Sequence, residues 1–361
     1  MRVVIAGGGT GGHLFPGIAI AEEFIRRDKK AEVLFIGTQR GIESKLLGPA
    51  GYKLSTIDVE GIKGRGIKAL IKGLYQIPQS MWQSGQILKK FQPRIVIGVG
   101  GYASGPAVLA AHFMGMPTAI AEQNAAPGIT NRILGKFVDK IFVTYAETVN
   151  SFPASRVLAS GNPVRAAFAG VRSLQRAEKD FHQLLIFGGS QGAQAINKSV
   201  VEMLPQLQKI KNNIRILHQT GARDVESVQE AYARYGIRAD VTAFIVDMAD
   251  AYRQADLIIC RAGATSLAEI TTAGKAAILI PFPFATNDHQ TKNAEAMADK
   301  GAAIMIKEKD ISGDKLFEVV EELLRDPKKL HLMEENSANL GNINAAATIV
   351  DACLELAAKK N

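Results

Sequence analysis

The sequence predicts an α/β protein made of two Rossmann-like domains in tandem. Three observations carry this. Short β-branched runs alternate with longer helical patterns through the 361 residues, which is the signature of parallel sheets covered by helices. The pattern then restarts: "VVIAGGGTGGH" opens the first half and "LLIFGGSQGAQAIN" the second, each an apolar strand, a glycine-rich turn and a helix. The length is also more than one typical domain and comfortable for two.

Taken in order, the strands expected in the first half are Arg2–Ala6, Val33–Ile36, Arg94–Val99, Thr118–Ala121 and Lys140–Thr144. In the second half they are Gln183–Phe187, Ile214–Gln219, Val241–Phe244, Leu257–Cys260, Ala277–Ile280 and Ala303–Ile306. Helices are expected between most of them, among them Gly17–Arg27 and Ala193–Leu207, and the chain closes on a helix over Ala345–Lys359. The Gly-Asn-Pro turn within Ser160–Phe168 interrupts the pattern and marks the boundary. The expected domains are therefore 1–162 and 163–342, followed by a terminal helix over 343–361.

Composition is that of a globular chain, with 47% hydrophobic and 22% charged residues. Only Val3–Ala6 is apolar before the glycines begin, so no signal peptide is expected. The run Ile95–Ala121 has no charged residue, yet glycines, Pro106, His112 and Pro117 divide it into strand, loop, helix and strand. It reads as buried core, and no transmembrane helix is expected. Cys260 and Cys353 stand far apart, which argues against a disulfide framework or zinc site and fits a reducing cytoplasm. The net charge of +8 suits an anionic partner, but it equally describes a slightly basic enzyme.

Loops that follow parallel strands lie at the carboxyl edge of a sheet, where glycines admit a ligand and helix N-termini offer N–H groups to phosphate. Gly7, Gly9 and Gly12 fit the dinucleotide fingerprint, which alone is weak. A nicotinamide dinucleotide needs an acidic residue at the end of the second strand, and that strand ends in Gly37, Thr38 and Gln39. The dinucleotide reading is therefore disfavoured. A second loop, Gly98–Pro106, closes the third strand, and the pair suggests an extended phosphate site; tight strand–helix packing would use the same glycines. In "CRAGATSLAEI" a strand ends at Cys260, Gly263 turns, and Thr265 and Ser266 open a helix with Glu269 expected in its first turn. That helix start suits a diphosphate and Glu269 a ribose diol, although a carboxylate there also complements the helix dipole.

Seven segments in order, "GGGTGGHLFPGIAIA", "GVGGYASGP", "AEQNAAPGITNRIL", "GNPVRAAF", "FGGSQGAQAIN", "CRAGATSLAEI" and "DHQTKNA", closely resemble the MurG family of bacterial N-acetylglucosaminyltransferases. The resemblance runs from Val3 to the C-terminal helix. It implies a GT-B fold, two Rossmann-like domains with parallel sheets facing across a deep cleft, the terminal helix returning to the first domain. It also implies transfer of GlcNAc from UDP-GlcNAc to undecaprenyl-pyrophosphoryl-MurNAc-pentapeptide (lipid I), giving lipid II for peptidoglycan. Carried over motif by motif, Thr10, Gly11, Gly12 and Asn124 would contact the donor, and Arg165 and Ser190 its nucleotide and phosphates. Ile245 would hold uracil through its backbone, Ala264, Thr265 and Ser266 the diphosphate, Glu269 the ribose and Gln290 the sugar or ribose. Gly9, Gly100, Gly101, Tyr102 and Ser104 would form the acceptor's pyrophosphate loops.

The implied reaction inverts the anomeric centre, which suits one in-line displacement with oxocarbenium character. His13 is the first candidate base, since an imidazole is matched to proton transfer near neutrality; Glu122 is the second. The alternative for His13 is a hydrogen bond to acceptor pyrophosphate without proton transfer. No Asp-x-Asp or His-rich ligand spacing is present, so no cofactor or protein-bound metal is expected, with Mg2+ acting at most from solution. The rival activity is a UDP-GlcNAc 2-epimerase. The segment Gly61–Gln83 interleaves basic and apolar residues. The pattern is that of a core-facing helix with solvated lysines or of a surface lying on anionic lipid; the lipid-linked acceptor that the resemblance implies favours the second, with Lys68, Leu70, Lys72, Leu74 and Trp82 as the expected membrane contacts. The resemblance places the chain peripherally on the cytoplasmic face of the bacterial membrane, in the company of other cell-wall synthesis and division proteins and without a nucleic-acid partner.

Overall fold

The computed structural model describes residues 1–59, 66–171, 180–189, 191–285 and 288–359, with 66–75 described by backbone only. The chain divides into two compact units, Met1–Ala166 with Ile343–Asn361, and Ala167–Asn342. The division falls after Ala166 rather than after Asn162, which leaves Arg165 in the first unit.

In chain order the first unit contains β1 (Arg2–Ala6), α1 (Gly11–Arg27), β2 (Glu32–Gly37), α2 (Glu43–Leu46), β3 (Lys53–Thr56), α3 (Gly66–Phe91), β4 (Ile95–Gly98), α4 (Ser104–Phe113), β5 (Thr118–Glu122), α5 (Ile129–Leu134), β6 (Lys140–Val143) and β7 (Val157–Ala159). The second contains β8 (His182–Phe187), α6 (Gln194–Leu207), β9 (Ile214–Gln219), α7 (Val225–Tyr235), β10 (Ala239–Thr242), α8 (Met248–Gln254), β11 (Leu257–Cys260), α9 (Ala264–Ala273), β12 (Ala277–Leu279), α10 (His289–Ala298), β13 (Ala303–Met305), α11 (Gly313–Arg325) and α12 (Pro327–Leu340). The terminal helix α13 (Ala345–Lys359) returns to the first unit.

Both sheets are parallel. The first has the order β3-β2-β1-β4-β5-β6-β7 and the second β10-β9-β8-β11-β12-β13. Strand order reverses beside β1 and beside β8, so in each sheet the glycine loop that follows the central strand opens at a topological switch point, where α/β proteins bind ligands. The central strands β4 and β11 are apolar throughout because helices cover both faces. Ala6 pairs with Ile36, which puts Gly37–Gln39, none of them acidic, at the carboxyl end of β2.

Two strands escaped the sequence pattern, β3 and β7, and both are edges. Neither buries a continuous apolar run, so neither carries the signal of a central strand. β10 lies at Ala239–Thr242 rather than at Val241–Phe244, again at an edge. Helix α1 starts at Gly11 instead of Gly17; Pro16 sits inside it and reads in sequence as a helix start. On the far side of α1, Ile349, Val350 and Cys353 of α13 complete the core, and Arg27 pairs with Asp351.

Candidate functional site

Two clusters of expected residues stand at the carboxyl edges of the sheets, one in each unit. In the first unit the loops after β1 and β4 lie backbone against backbone, with Gly8 N–H donating to the Gly100 carbonyl at 3.3 Å. Gly100 has φ +92°, and a Cβ there would stand 2.5 Å from His13 Nδ1. Glycine at position 100 is what makes room for the histidine.

His13 occupies the first turn of α1, whose N-cap, Thr10, makes no side-chain cap. His13 Nδ1 lies 3.4 Å from Gln123 Oε1. Gln123 is buried, and its amide nitrogen faces the carbonyls of Val99 (3.3 Å) and Ala121 (3.2 Å). Those two acceptors fix the amide orientation and leave its oxygen for the histidine. An oxygen there accepts, so Nδ1 carries a proton, and in the neutral ring the lone pair is on Nε2.

Glu122 is arranged differently. Its Oε1 accepts from Asn124 N (3.0 Å) and Asn124 Nδ2 (3.2 Å), and its Oε2 from Gly128 N (3.0 Å) and Asn131 Nδ2 (2.9 Å). Both oxygens of this buried carboxylate are used in shaping the loop after β5. That loop presents Asn124, whose carbonyl is held by the Thr148 hydroxyl at 3.3 Å.

A second buried carboxylate was not anticipated. Glu43 accepts from Gly9 N (2.7 Å), Thr38 N (2.8 Å) and Thr38 Oγ1 (3.0 Å). It ties the first glycine loop to the loop after β2. A Cβ on Gly8, at φ +134°, would lie 2.5 Å from its carboxyl carbon, so the loop is built around this side chain. Two corrections follow. The Gly9 amide, expected at the acceptor pyrophosphate, donates instead to Glu43, and α1 opens two residues later at Gly11 and Gly12. Ser104 is fully buried in its own unit, so its hydroxyl does not line the second loop's surface; Gly101 and the exposed Tyr102 do.

Arg165 stacks on Phe15, its guanidinium carbon 4.3 Å from the ring centroid. Phe15 in turn packs over Gly11, where a Cβ would meet the ring at 2.9 Å. The next residue, Ala166, donates its N–H to Glu22 of α1 at 2.7 Å. The structure therefore gathers Thr10, Gly11, Gly12, His13 and Arg165 around the start of one helix.

The second cluster surrounds the start of α9. Gly263 caps it without a side-chain hydrogen bond, and the amides of Ala264, Thr265 and Ser266 form its first turn. Glu269 is buried and lies in the second turn, not the first, because the helix begins at Ala264. With burial as the main cause and the Glu269 carboxylate adding to it, the Cys260 thiol is pushed up and stays protonated. Gln290, in the first turn of α10, accepts from Phe282 N at 3.0 Å. Asn293 Nδ2 donates to the Ala262 carbonyl at 3.2 Å and so fastens α10 beside the α9 loop. Arg261 pairs with Glu308, donates to the carbonyls of Ile280 (3.2 Å) and Pro281 (3.3 Å), and faces Phe282. These contacts hold the segment that carries Gln290 against the end of β11.

Ile245 is buried in the loop after β10, next to the exposed Val246. In the glycine loop after β8, the Gly189 carbonyl accepts from Gln219 Nε2 at 2.6 Å; Ser190 lies outside the described residues. Lys68, Leu70, Lys72 and Leu74 fall on the α3 backbone with side chains outside the described residues, and Trp82 further along α3 is 67% exposed. Sequence reading missed further exposed apolar residues in this unit: Phe113, Ile129, Ile133 and Phe137, with His112 between Phe113 and Phe137. Among the described residues no helix is long and apolar enough to cross a membrane, and no group of three or more His, Cys, Asp and Glu is placed to hold a metal ion.

Comparison with known proteins identifies the family. The glycosyltransferase family 28 N-terminal domain matches residues 3–143, and the C-terminal domain of the same family matches residues 183–352. A relative from Syntrophus aciditrophicus, named UDP-N-acetylglucosamine–N-acetylmuramyl-(pentapeptide) pyrophosphoryl-undecaprenol N-acetylglucosamine transferase, is 55% identical over 356 residues, 99% of each chain. The crystal structure of Acinetobacter baumannii MurG has a TM-score of 0.75 at 32% identity and covers 98% of this chain and 99% of its own. A putative UDP-N-acetylglucosamine 2-epimerase from Listeria monocytogenes has a TM-score of 0.70 at 12% identity, covering 97% of this chain and 95% of its own, which is a likeness of fold alone. The chain belongs to glycosyltransferase family 28, in its MurG branch, and has the GT-B fold.

Proposed function

We infer that the chain transfers N-acetylglucosamine from UDP-GlcNAc to the 4-hydroxyl of undecaprenyl-pyrophosphoryl-MurNAc-pentapeptide, forming lipid II in peptidoglycan synthesis. The observation that carries this is the 55% identity, over 99% of both chains, to a relative bearing that activity in its name. The epimerase alternative rests on fold likeness only.

In this reading the first unit takes the acceptor and the second the nucleotide sugar. His13 Nε2 accepts the proton of the muramyl hydroxyl, a role supported by the Gln123 oxygen facing Nδ1, which favours the tautomer with its lone pair on Nε2. The hydroxyl oxygen bonds to C1 of GlcNAc as the bond from C1 to the β-phosphate oxygen breaks. The electron pair leaves with UDP, and the anomeric centre inverts. The first-turn amides of α9 face the departing diphosphate. Glu269 accepts from the ribose hydroxyls, and Ile245 contacts uracil through its backbone. Gln290 holds the sugar or ribose, while Ser190 and Arg165 answer to the phosphates. Thr10, Gly11 and Gly12, with Asn124, orient the reacting sugars. Gly100, Gly101 and Tyr102 bound the acceptor pyrophosphate. Glu122 acts as the brace of the Asn124 loop, so His13 is the base.

No step above calls for a protein-bound metal. The exposed Phe113, Ile129, Ile133 and Phe137 sit in the same unit as Trp82 and the lysines of α3. Exposed apolar residues in the unit that also carries the basic segment of α3 fit the cytoplasmic face of an anionic membrane, where an undecaprenyl acceptor must remain. The test offers purified protein UDP-GlcNAc with and without a lipid-linked muramyl-pentapeptide. UDP release that depends on acceptor is the expected result; N-acetylmannosamine formed without acceptor would overturn the reading in favour of epimerisation.

A further inference from the structure

The proposed chemistry leaves the buried carboxylate of Glu43 without a role. Glu43 is 1% exposed and opens the short helix α2, which the adjacent Leu47 seats in the core of the first unit. Glycines make room for it on other sides than Gly8. A Cβ on Gly37 would lie 2.6 Å from its Cγ, and one on Gly41 would overlap its carboxylate. A carboxylate is buried only where hydrogen bonds answer it, and both oxygens are answered from loops. Oε2 accepts from Gly9 N, and Oε1 from Thr38 N and Thr38 Oγ1. Bonds to a charged acceptor are stronger than neutral ones, so the side chain fastens the first glycine loop to the end of β2.

That loop needs an outside hold. Three consecutive glycines, Gly7–Gly9, have little stiffness of their own, and the N-cap Thr10 makes no side-chain cap. Two routes lead from the fastened loop to His13. Gly9 is followed by Thr10, whose carbonyl accepts from His13 N at 3.2 Å and Leu14 N at 3.1 Å. Gly8 N–H donates to the carbonyl of Gly100, the residue that backs the His13 ring. We propose that Glu43 is a positioning residue for the transfer, holding the first glycine loop so that His13 Nε2 meets the muramyl hydroxyl. The proposal rests on the transferase reading above, with His13 as its base.

Glu43→Gln keeps the shape of the side chain and removes one acceptor. Whichever way the amide turns, its NH2 faces the N–H of Gly9 or of Thr38, donor against donor. The loop must then shift, and a misplacement of about 1 Å can cost about 10²-fold in rate. Steady-state kinetics with UDP-GlcNAc and a short-chain muramyl-pentapeptide acceptor compares the parent, Glu43→Gln, His13→Ala and the double variant. Glu43→Gln is expected to lower kcat about 10- to 100-fold while the KM for UDP-GlcNAc stays within about twofold. In the His13→Ala background the same change should cost less than about twofold, because a base that is gone cannot be misplaced. If Glu43→Gln does not fold, Glu43→Asp, which withdraws the carboxylate by one methylene, is read in the same way. An unchanged kcat overturns the proposal, as does equal damage with and without His13, or a rise in the KM for UDP-GlcNAc that matches the fall in kcat. Parental turnover by His13→Ala removes the base and the proposal together. A parent that transfers to no muramyl acceptor overturns the transferase reading itself, and the proposal with it.

Discussion

Replacing Gln123 by leucine tests the link between a buried amide and the proposed base. Leucine nearly preserves volume but removes the oxygen that faces His13 Nδ1 at 3.4 Å and the donors to Val99 and Ala121. One ordinary hydrogen bond contributes about 0.5–1.5 kcal/mol net, which at RT ≈ 0.59 kcal/mol is about a 2- to 13-fold preference between imidazole tautomers. Turnover should fall by about that factor. Removing the base outright, as in His13→Ala, should cost about 10²–10⁴-fold. Because the effect belongs to the proton transfer, the KM for UDP-GlcNAc should hardly move. Gln123→Glu is the informative partner. It keeps an acceptor at Nδ1 and adds a negative charge, which stabilises the imidazolium and raises the histidine's pKa. The acidic limb of its kcat–pH profile should therefore shift to higher pH while turnover at alkaline pH is retained. The reasoning is refuted if folded Gln123→Leu keeps parental turnover and Gln123→Glu keeps the parental pH profile.

Three further outcomes are expected. Glu269→Ala should weaken UDP binding by about 1–3 kcal/mol, or about 5- to 150-fold, measured by calorimetry; unchanged affinity in a folded variant removes Glu269 from the nucleotide site. Burial holds His218 down to about 3 from an ordinary value of 6.5, so folding favours the neutral ring. Its contribution is present in full above pH 6.5 and is lost as pH falls toward 3, at up to about 1.4 kcal/mol per pH unit; denaturant unfolding of His218→Asn should show a shallower acid dependence over that window, and an identical dependence contradicts the assignment. Phe113→Ser with Phe137→Ser should reduce sedimentation with anionic vesicles severalfold while turnover of a water-soluble acceptor is kept, and undiminished vesicle binding places the membrane surface elsewhere.

Central strands such as "IVIG" and "LIIC" were legible because burial on both faces leaves them apolar from end to end. Edge strands such as β3, with Lys53 and Thr56 exposed, lack that signal and are recognised only by their pairing with β2. At the site, glycine spacing identified the loops but not what holds them. Glu43 follows β2 as an unremarkable acidic residue at a helix start, and its burial against Gly8 and Gly9 depends on a neighbour far away in sequence. Gln123 lay inside the quoted "EQN" stretch, yet its role appears only when β4, β5 and α1 converge. The first-turn placement of Glu269 failed for a local reason, since Ala264 and not a later residue opens α9. Arg165 was expected with the nucleotide-binding half and instead stacks on Phe15 of α1, a contact that spacing cannot reveal.

The most direct measurement is the structure of the product. The purified chain is incubated with UDP-GlcNAc labelled at C1 and a short-chain muramyl-pentapeptide pyrophosphoryl lipid, and the anomeric coupling of the labelled carbon is read by NMR together with the product mass. A GlcNAc-β-linked disaccharide on the lipid, formed with one equivalent of UDP, is the result expected of His13-assisted inverting transfer. An α-linked disaccharide, or label recovered as free N-acetylmannosamine with the lipid unchanged, would contradict it.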